Sequence, residues 1–293
     1  MFQRIIVTLD GSASSEAALP VAEELSRRLG SSLVLLHVIE ARPPKAVHGE
    51  RHLATVGEAE AYLAAVVARL EAEGIRASSH VHDAEGSRGV VASVAAHEAE
   101  FGNDLAIMAA HGKHGLVDTL SGSLPLKVAA SGGAAVLLAT PLFSPRRILL
   151  PLDGRSEHEA ALPAAITLAK AFGLPILLVA AVPRSAAEAG GPGAAFALLA
   201  PALSGASLEL AAEGEGTYLA AVAARLAAEG IESERRVLRG KPAKAIVAAG
   251  EEGDLLVLST HRRLGLDASL DGCVAFGAAR RWRGPMLIMP IAR

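Results

Sequence analysis

The feature that most constrains this chain is an internal repeat. Residues 62–75 read YLAAVVARLEAEGI and residues 218–231 read YLAAVAARLAAEGI, identical at twelve of fourteen positions with an offset of 156. The segment RIIVTLDGSASSEAALP from Arg4 returns as RILLPLDGRSEHEAALP from Arg147, at an offset of 143. Alanine-rich composition could produce part of one match, but not both in the same order, so the chain is two copies of one unit. Offsets of 156 and 143 differ by 13, which requires an insertion in the second copy. The place for it is Ser185 to Glu213, within an Ala-, Gly- and Pro-rich stretch, 185–216, that is partly helical or mobile. The copies divide near Phe143-Ser144-Pro145, giving units 1–143 and 144–293. A chain of 293 residues has room for about two such domains.

Within a unit, strands and helices alternate. Arg4 to Leu9 is a continuous apolar, β-branched run, as a strand buried on both faces requires. Asp10-Gly11-Ser12 supplies turn and N-cap chemistry, and Ala18, Val21, Ala22, Leu25 and Leu29 form one helical stripe stopped by Gly30. Strands are expected at Ser32 to Ile39, Ala77 to His82, Asp104 to Ala109 and Ala135 to Ala139. Helices are expected at Glu58 to Glu73, Val90 to Glu100 and from Ser123 to Ala130. The second copy repeats the order, with strands at Ile148 to Leu152, Ile176 to Val182, Glu234 to Leu238, Asp254 to Ser259 and Met286 to Met289. Its helices are expected at Ala160 to Phe172, Tyr218 to Glu229 and Ala243 to Ala249. Such alternation predicts an α/β fold: two tandem units, each a five-stranded, mostly parallel sheet with helices on both faces.

Composition excludes several classes. A net charge of −3 and a pI near 6.4 offer no basic surface for nucleic acid or an anionic membrane, and aromatics at 3% leave few stacking platforms. One cysteine, Cys273, forbids an intramolecular disulfide and suits a reducing compartment. The N-terminus MFQRIIVTLDGS begins a strand at once without a signal-peptide layout, and no apolar run approaches the roughly 20 residues of a membrane span. A soluble, cytoplasmic protein is expected.

In an open parallel sheet, ligands bind outside the carboxyl ends of the strands, where strand order reverses. The loops after the first and fourth strands are therefore the ones to read. The first offers Thr8-Leu9-Asp10-Gly11-Ser12. The second offers Met108-Ala109-Ala110-His111-Gly112, nine residues, then Gly122-Ser123. Gly112 and Gly122 let backbone amides approach a phosphate without a Cβ in the way, and Ser123 opens a helix whose dipole favours negative charge.

This pattern resembles the ATP-binding type of universal stress protein, a UspA-like family. That family carries Gly-x-x-Gly, nine residues, then Gly-Ser or Gly-Thr after the fourth strand; here Ala109 replaces only the first glycine. The opening strand ending in Asp-Gly-Ser and the second strand LLHVIE are also typical, and the resemblance spans both halves. It implies flavodoxin-like, adenine-nucleotide-hydrolase-like units. It further implies Asp10 beside an adenosine, the Val38 backbone on the adenine edge, and Met108 and Ala109 flanking the nucleoside. His111, Gly112, Gly122 and Ser123 would line a triphosphate, with magnesium held mainly by phosphate oxygens. The candidate cofactor-binding set for ATP is completed by Thr8 and Leu124. The resemblance also implies that fifth strands, Ala135 to Ala139 and Met286 to Met289, pair to make an intramolecular pseudo-dimer, and it leaves a further homodimer open.

The second copy keeps Pro151 and Asp153 but has Ser259 and Arg262 at the leading glycine positions and Gly272-Cys273 for Gly-Ser, so the first copy is the better binder. Asp10 and Asp153 have a plainer reading as helix caps, and His111 and His261 as loop hydrogen-bond donors. His37 reads as a buried, satisfied histidine. His48, His52, His80, His82 and His97 lack spacing suited to one metal site, and most of them read as solvated. Arg280-Arg281-Trp282-Arg283 reads as the solvated end of a helix, and Cys273 as a small packed residue. No Walker A lysine, Ser-His-Asp set or paired carboxylates are present, so no catalytic residues are assigned. The leading expectation is a regulatory protein of the stress response that binds an adenine nucleotide. The alternatives are a dimerisation scaffold that binds none, a slow ATPase and, more distantly, a flavodoxin-like electron carrier.

Overall fold

The structure is a computed structural model that describes residues 1–40, 46–47, 50–51, 53–83, 89–110, 124–141, 143–185, 188, 201–261 and 274–291. Two compact units emerge: Met1–Ser144 with His261–Asp267 and Pro285–Arg293, and Pro145–Thr260 with Ala268–Gly284.

In the first unit, β1 (Arg4–Thr8) is the apolar run seen in the sequence, and Ile5, Ile6 and Val7 are fully buried. It pairs in parallel with β2 (Ser32–Ile39) on one side and β6 (Leu105–Ala109) on the other. Beyond β2 lies β5 (Ala77–Asp83), and beyond β6 lies β7 (Ala135–Ala139), both parallel. Strand order therefore reverses between β1 and β6, the switch point at which α/β sheets bind ligands. A sixth strand, β12 (Met286–Ile291), closes against β7 in antiparallel register, with Met286 opposite Leu138 and Ile288 opposite Val136. The fifth strand of the second repeat thus belongs to the first unit and meets the fifth strand of the first. A separate two-stranded pair, β3 (Ala46–Val47) and β4 (Glu50–Arg51), stands outside this sheet.

The helices follow local chemistry. The short α1 (Ala13–Glu16) is capped by Ser12, whose hydroxyl accepts the Ser15 amide at 3.1 Å. In α2 (Leu19–Leu29), Leu19, Val21, Ala22 and Leu25 are buried, while Arg27 and Arg28 face water and pair with glutamates. The helix α3 (Val56–Ala72) begins two residues before the expected start, because Thr55 caps it: the Glu58 amide donates to the Thr55 hydroxyl at 3.3 Å, and that hydroxyl donates to the Glu58 carboxylate at 3.1 Å. The helix α4 (Val90–Phe101) packs against β2, and α5 (Leu124–Ser131) against β7 and β12.

The second unit repeats this with β8 (Arg147–Pro151), β9 (Ile176–Val182), β10 (Ser233–Arg239) and β11 (Asp254–His261), all parallel in the order β10-β9-β8-β11. A 3-10 segment, Ser156–Ala161, leads into α6 (Leu162–Phe172). The helices Pro242–Ala249 and Val274–Ala279 complete it. The helix expected at Tyr218 to Glu229 is longer than the sequence suggests and runs Pro201–Ala228. Much of the insertion therefore extends a repeat helix at its N-terminus, through Gly205, Gly214 and Gly216, residues whose low helix propensity hides it in the sequence. Near the other end of this unit, Trp282 is buried between exposed arginines, so the basic run is solvated only in part.

The repeat is written into tertiary contacts as well. The Tyr62 hydroxyl donates to Glu16 at 2.8 Å and the Tyr218 hydroxyl to Glu159 at 3.0 Å. The partners lie 46 and 59 residues apart, the same difference of 13 that the offsets require. The same helix is held to the same loop in both copies.

Candidate functional site

At the switch point of the first unit the carboxyl ends of β1, β2 and β6 open onto a cavity of about 280 Å³. Thr8, Asp10, Val38, Met108, Ala109 and Leu124, six of the ten residues singled out in the sequence, line it. The other four, His111, Gly112, Gly122 and Ser123, lie outside the described residues, as do Arg262, Gly272 and Cys273. Its volume lies just below the usual range of small-molecule sites.

The loop after β1 is built by Asp10. Its carboxylate accepts the Ser12 amide at 2.9 Å and the Ser12 hydroxyl at 2.6 Å, while its own amide donates to the Ser15 hydroxyl at 3.2 Å. Between them Gly11 takes φ of 85°, and a Cβ there would stand 2.7 Å from the Leu53 side chain, so only glycine fits. The cap itself is Ser12; Asp10 is not the capping residue but holds it, accepting both its amide and its hydroxyl, and these bonds fix the Asp10 carboxylate beside the cavity.

The Val38 backbone can be placed by parity. Along a strand, successive residues turn their backbone groups to opposite sides. The Leu33 amide bonds to Arg76 on the β5 side, and the Leu36 carbonyl accepts the Leu9 amide on the β1 side, each at 2.9 Å. Val38, two residues past Leu36, therefore turns its amide and carbonyl to the β1 side, where β1 has already ended at Thr8. The ladder would next offer the Leu9 carbonyl to the Val38 amide. The His37 ring takes up that carbonyl instead, its Nδ1 donating at 2.8 Å, and its Nε2 lies 3.3 Å from the Leu53 carbonyl. His37 is buried and bonded, as the sequence reading has it.

Sequence reading missed the wall supplied by α4, where Val90 and Val94 meet the cavity, and also Ser15, Glu40 and Pro125. Val90 and Val94 stand four residues apart, one helical turn, but that signal reads equally well as core packing. Near the loop, burial first and the hydrogen bond to Glu16 second push the Tyr62 phenol well above its ordinary range.

The equivalent place in the second unit is arranged differently. The Asp153 carboxylate accepts from His158 Nδ1 at 2.7 Å and from the Arg155 amide at 3.3 Å. Ser259, at the position of Ala109, donates to the His158 carbonyl at 3.1 Å. Beside Gly154 stands Glu215 of the helix Pro201–Ala228, its carboxyl pushed up by burial and by the Asp153 charge.

The universal stress protein family model matches the chain twice, over residues 1–139 and 145–290. The chain belongs to the universal stress protein family. Among solved structures, a putative universal stress protein from Pseudomonas aeruginosa UCBPP-PA14 is similar at 17% identity, covering 99% of this chain and 93% of its own, with a TM-score of 0.68. A universal stress protein from Archaeoglobus fulgidus DSM 4304 is similar at 18% identity, covering 99% and 96%, with a TM-score of 0.65. The cytoplasmic domain of a prokaryotic cation chloride cotransporter shares 13% identity over 98% and 95%, with a TM-score of 0.56. At these identities the likenesses establish the tandem fold, and function rests on the site. A search of curated proteins returns no match. Among the described residues no helix is long and apolar enough to cross a membrane.

One sequence expectation is overturned. His80, His82 and His97 are not scattered solvated residues: their ring nitrogens converge, each within 4.8 Å of the others, and His97 is buried. His80 and His82 share a face of β5, and α4 lays His97 across that face, a juxtaposition that sequence spacing cannot show. Burial first, then the neighbouring His97 ring, lowers the His80 pKa from its ordinary 6.5. His48 and His52 lie outside the described residues.

Proposed function

We propose that the first unit binds the adenosine part of an adenine nucleotide, ATP with magnesium, and acts as a regulatory rather than a catalytic module of the stress response. The observation that carries the reading is Val38 at the wall of a cavity at the switch point; strand parity gives its amide and carbonyl to the side where β1 has ended, a donor and an acceptor side by side as the edge of an adenine ring requires. Asp10 at the cavity edge suits a ribose hydroxyl, and the apolar walls from Val94, Met108 and Ala109 suit the flat faces of the base. The phosphates are assigned to the Gly112 and Gly122-Ser123 motif. His37 is the one histidine at the described cavity wall, and its Nδ1 proton is committed to the Leu9 carbonyl, which favours binding over hydrolysis.

In the second unit His158 occupies Asp153 and, through Ser259, the end of β11, so we assign that copy a structural role. The antiparallel β7–β12 pair brings the fifth strands of the two copies together within the first unit.

Calorimetry with ATP and magnesium tests this on the wild type, on Ala109→Leu, which fills the cavity, and on Gly122→Val, which alters the phosphate motif. The expected result is about one ATP per chain, weakened in both variants while their circular dichroism stays native. No heat of binding in the wild type would leave the scaffold reading. Binding untouched by Ala109→Leu would remove the nucleoside from this cavity.

A further inference from the structure

We infer that His80, His82 and His97 form a binding site for a divalent first-row transition metal ion, zinc being the best match. The inference is independent of nucleotide binding, since none of the three histidines lines the cavity.

The geometry begins with His97. It is buried to 3% exposure, and its Nδ1 lies 2.7 Å from the Ser93 carbonyl one turn earlier in α4. A carbonyl only accepts, so Nδ1 carries the proton and Nε2 presents a lone pair. A histidine whose far nitrogen is anchored to a backbone carbonyl is oriented as metal-bound histidines are. That lone pair faces His80, whose Nε2 is 3.0 Å away. Two nitrogens bound to one tetrahedral zinc at about 2.05 Å stand roughly 3.3 Å apart, so the pair needs to part by only a few tenths of an ångström. With no ion between them, His80 donates its Nε2 proton to His97. Metal entry needs His80 to carry its proton on Nδ1, a tautomer change with no net proton transfer.

His82 supplies the third ligand from the same face of β5, two residues along the strand. Its ring meets His97 edge-on, with centroids 4.6 Å apart. Three ligand atoms within 4.8 Å of one another need to approach by about 1.5 Å at most to share one ion. A fourth position is within reach of Glu100, exposed one turn beyond His97 with a carboxylate oxygen 3.8 Å from His97 Nε2. Phe101 meets His80 edge-on and lies tilted beside His97, and makes one wall of the site apolar. Three imidazoles and one carboxylate or water select zinc, nickel, cobalt or copper over magnesium and calcium, which prefer oxygen.

The chain has ten histidines, so the test uses untagged full-length protein and variants that separate this cluster from the rest. Zinc is titrated by calorimetry, and cobalt is added to read coordination from its visible absorption. The wild type should bind one zinc per chain, show the intense absorption of tetrahedral cobalt, and melt at higher temperature with zinc than with a chelator. His82→Gln and His80→Gln, at half-buried positions that tolerate the change, should each weaken zinc by about tenfold or more and lose the cobalt band. No stoichiometric zinc binding by the wild type would overturn the inference. So would equal affinity in the His80→Gln/His82→Gln double variant, which would place the metal on other histidines.

Discussion

Replacing Gly250 by alanine adds one methyl group and should cost the second unit a large part of its stability. The backbone at Gly250 has φ −79° and ψ 151°, a conformation open to any residue, so no strain arises there. The conflict is purely steric. A Cβ would lie 2.2 and 2.5 Å from two atoms of the Trp282 ring and 3.3 Å from Leu149. Carbon atoms rest about 3.5–4.0 Å apart, so the ring must retreat by more than an ångström. It has little room to do so. Trp282 is 4% exposed, and Gly284 abuts the indole nitrogen on its other edge. Overpacking of this kind costs about 1–3 kcal/mol, and full expulsion of a tryptophan about 3–5 kcal/mol, so a loss of about 2–4 kcal/mol is expected. Trp282 is the only tryptophan in the chain, and its fluorescence during urea unfolding reports on this unit directly. Gly205→Ala, in an exposed helix interior with nothing within 4 Å, is the control and should gain about 0.5–1 kcal/mol. The reasoning fails if Gly250→Ala unfolds at the wild-type urea concentration. It also fails if the penalty, read by circular dichroism, is undiminished in a Trp282→Leu background, where the clash no longer exists.

Two further perturbations probe the joints of the repeat. Both phenols, Tyr62 and Tyr218, are raised above the ordinary 10.0 by burial first and their glutamate partners second. A raised folded pKa gives stability that is whole below pH 10 and is lost as pH climbs beyond it. Urea midpoints should therefore fall above pH 10, and the Tyr62→Phe/Tyr218→Phe variant should show a shallower fall; parallel curves would refute this. Arg147 grips Asp254 through two hydrogen bonds of 2.9 and 2.7 Å, and the same carboxylate accepts the Glu251 amide at 2.8 Å. Asp254→Ala leaves the guanidinium with Glu251 alone, 3.4 Å away, and should cost about 1–3 kcal/mol by urea unfolding, whereas Arg147→Met with Asp254→Leu should recover part of it. A single variant as stable as the wild type would show that the pair contributes nothing.

What the sequence discloses here is local or repeated. β1, β2 and β6 are legible because strands buried on both faces must be continuously apolar. The loop at Asp10-Gly11-Ser12 is legible because turn and cap chemistry lies within three residues. The insertion is countable because two matching segments keep different offsets, 156 and 143, on either side of it. What stays hidden depends on which helix covers which strand. His97 lies 15 residues after His82, a spacing without meaning until α4 is known to cross β5. The valines of α4 that wall the cavity look like any buried pair. The start of the helix Pro201–Ala228 is obscured by three glycines, because propensity is a weak prior that the rest of a long helix can override.

The pairing of β12 with β7 separates the order of synthesis from the order of completion. The ribosome finishes β7 at Ala139, yet the strand that covers its outer edge begins at Met286. At about 5–20 residues per second, the intervening 146 residues take roughly 7–30 s to make. Through that interval a row of amide and carbonyl groups on a fully buried type of strand stands open, which is the surface that invites pairing between nascent chains. The duplication therefore carries its own protection only once β12 has been made. A stop codon between Ala139 and Met286 would yield a complete first repeat with an unguarded edge, prone to join another copy of itself at β7.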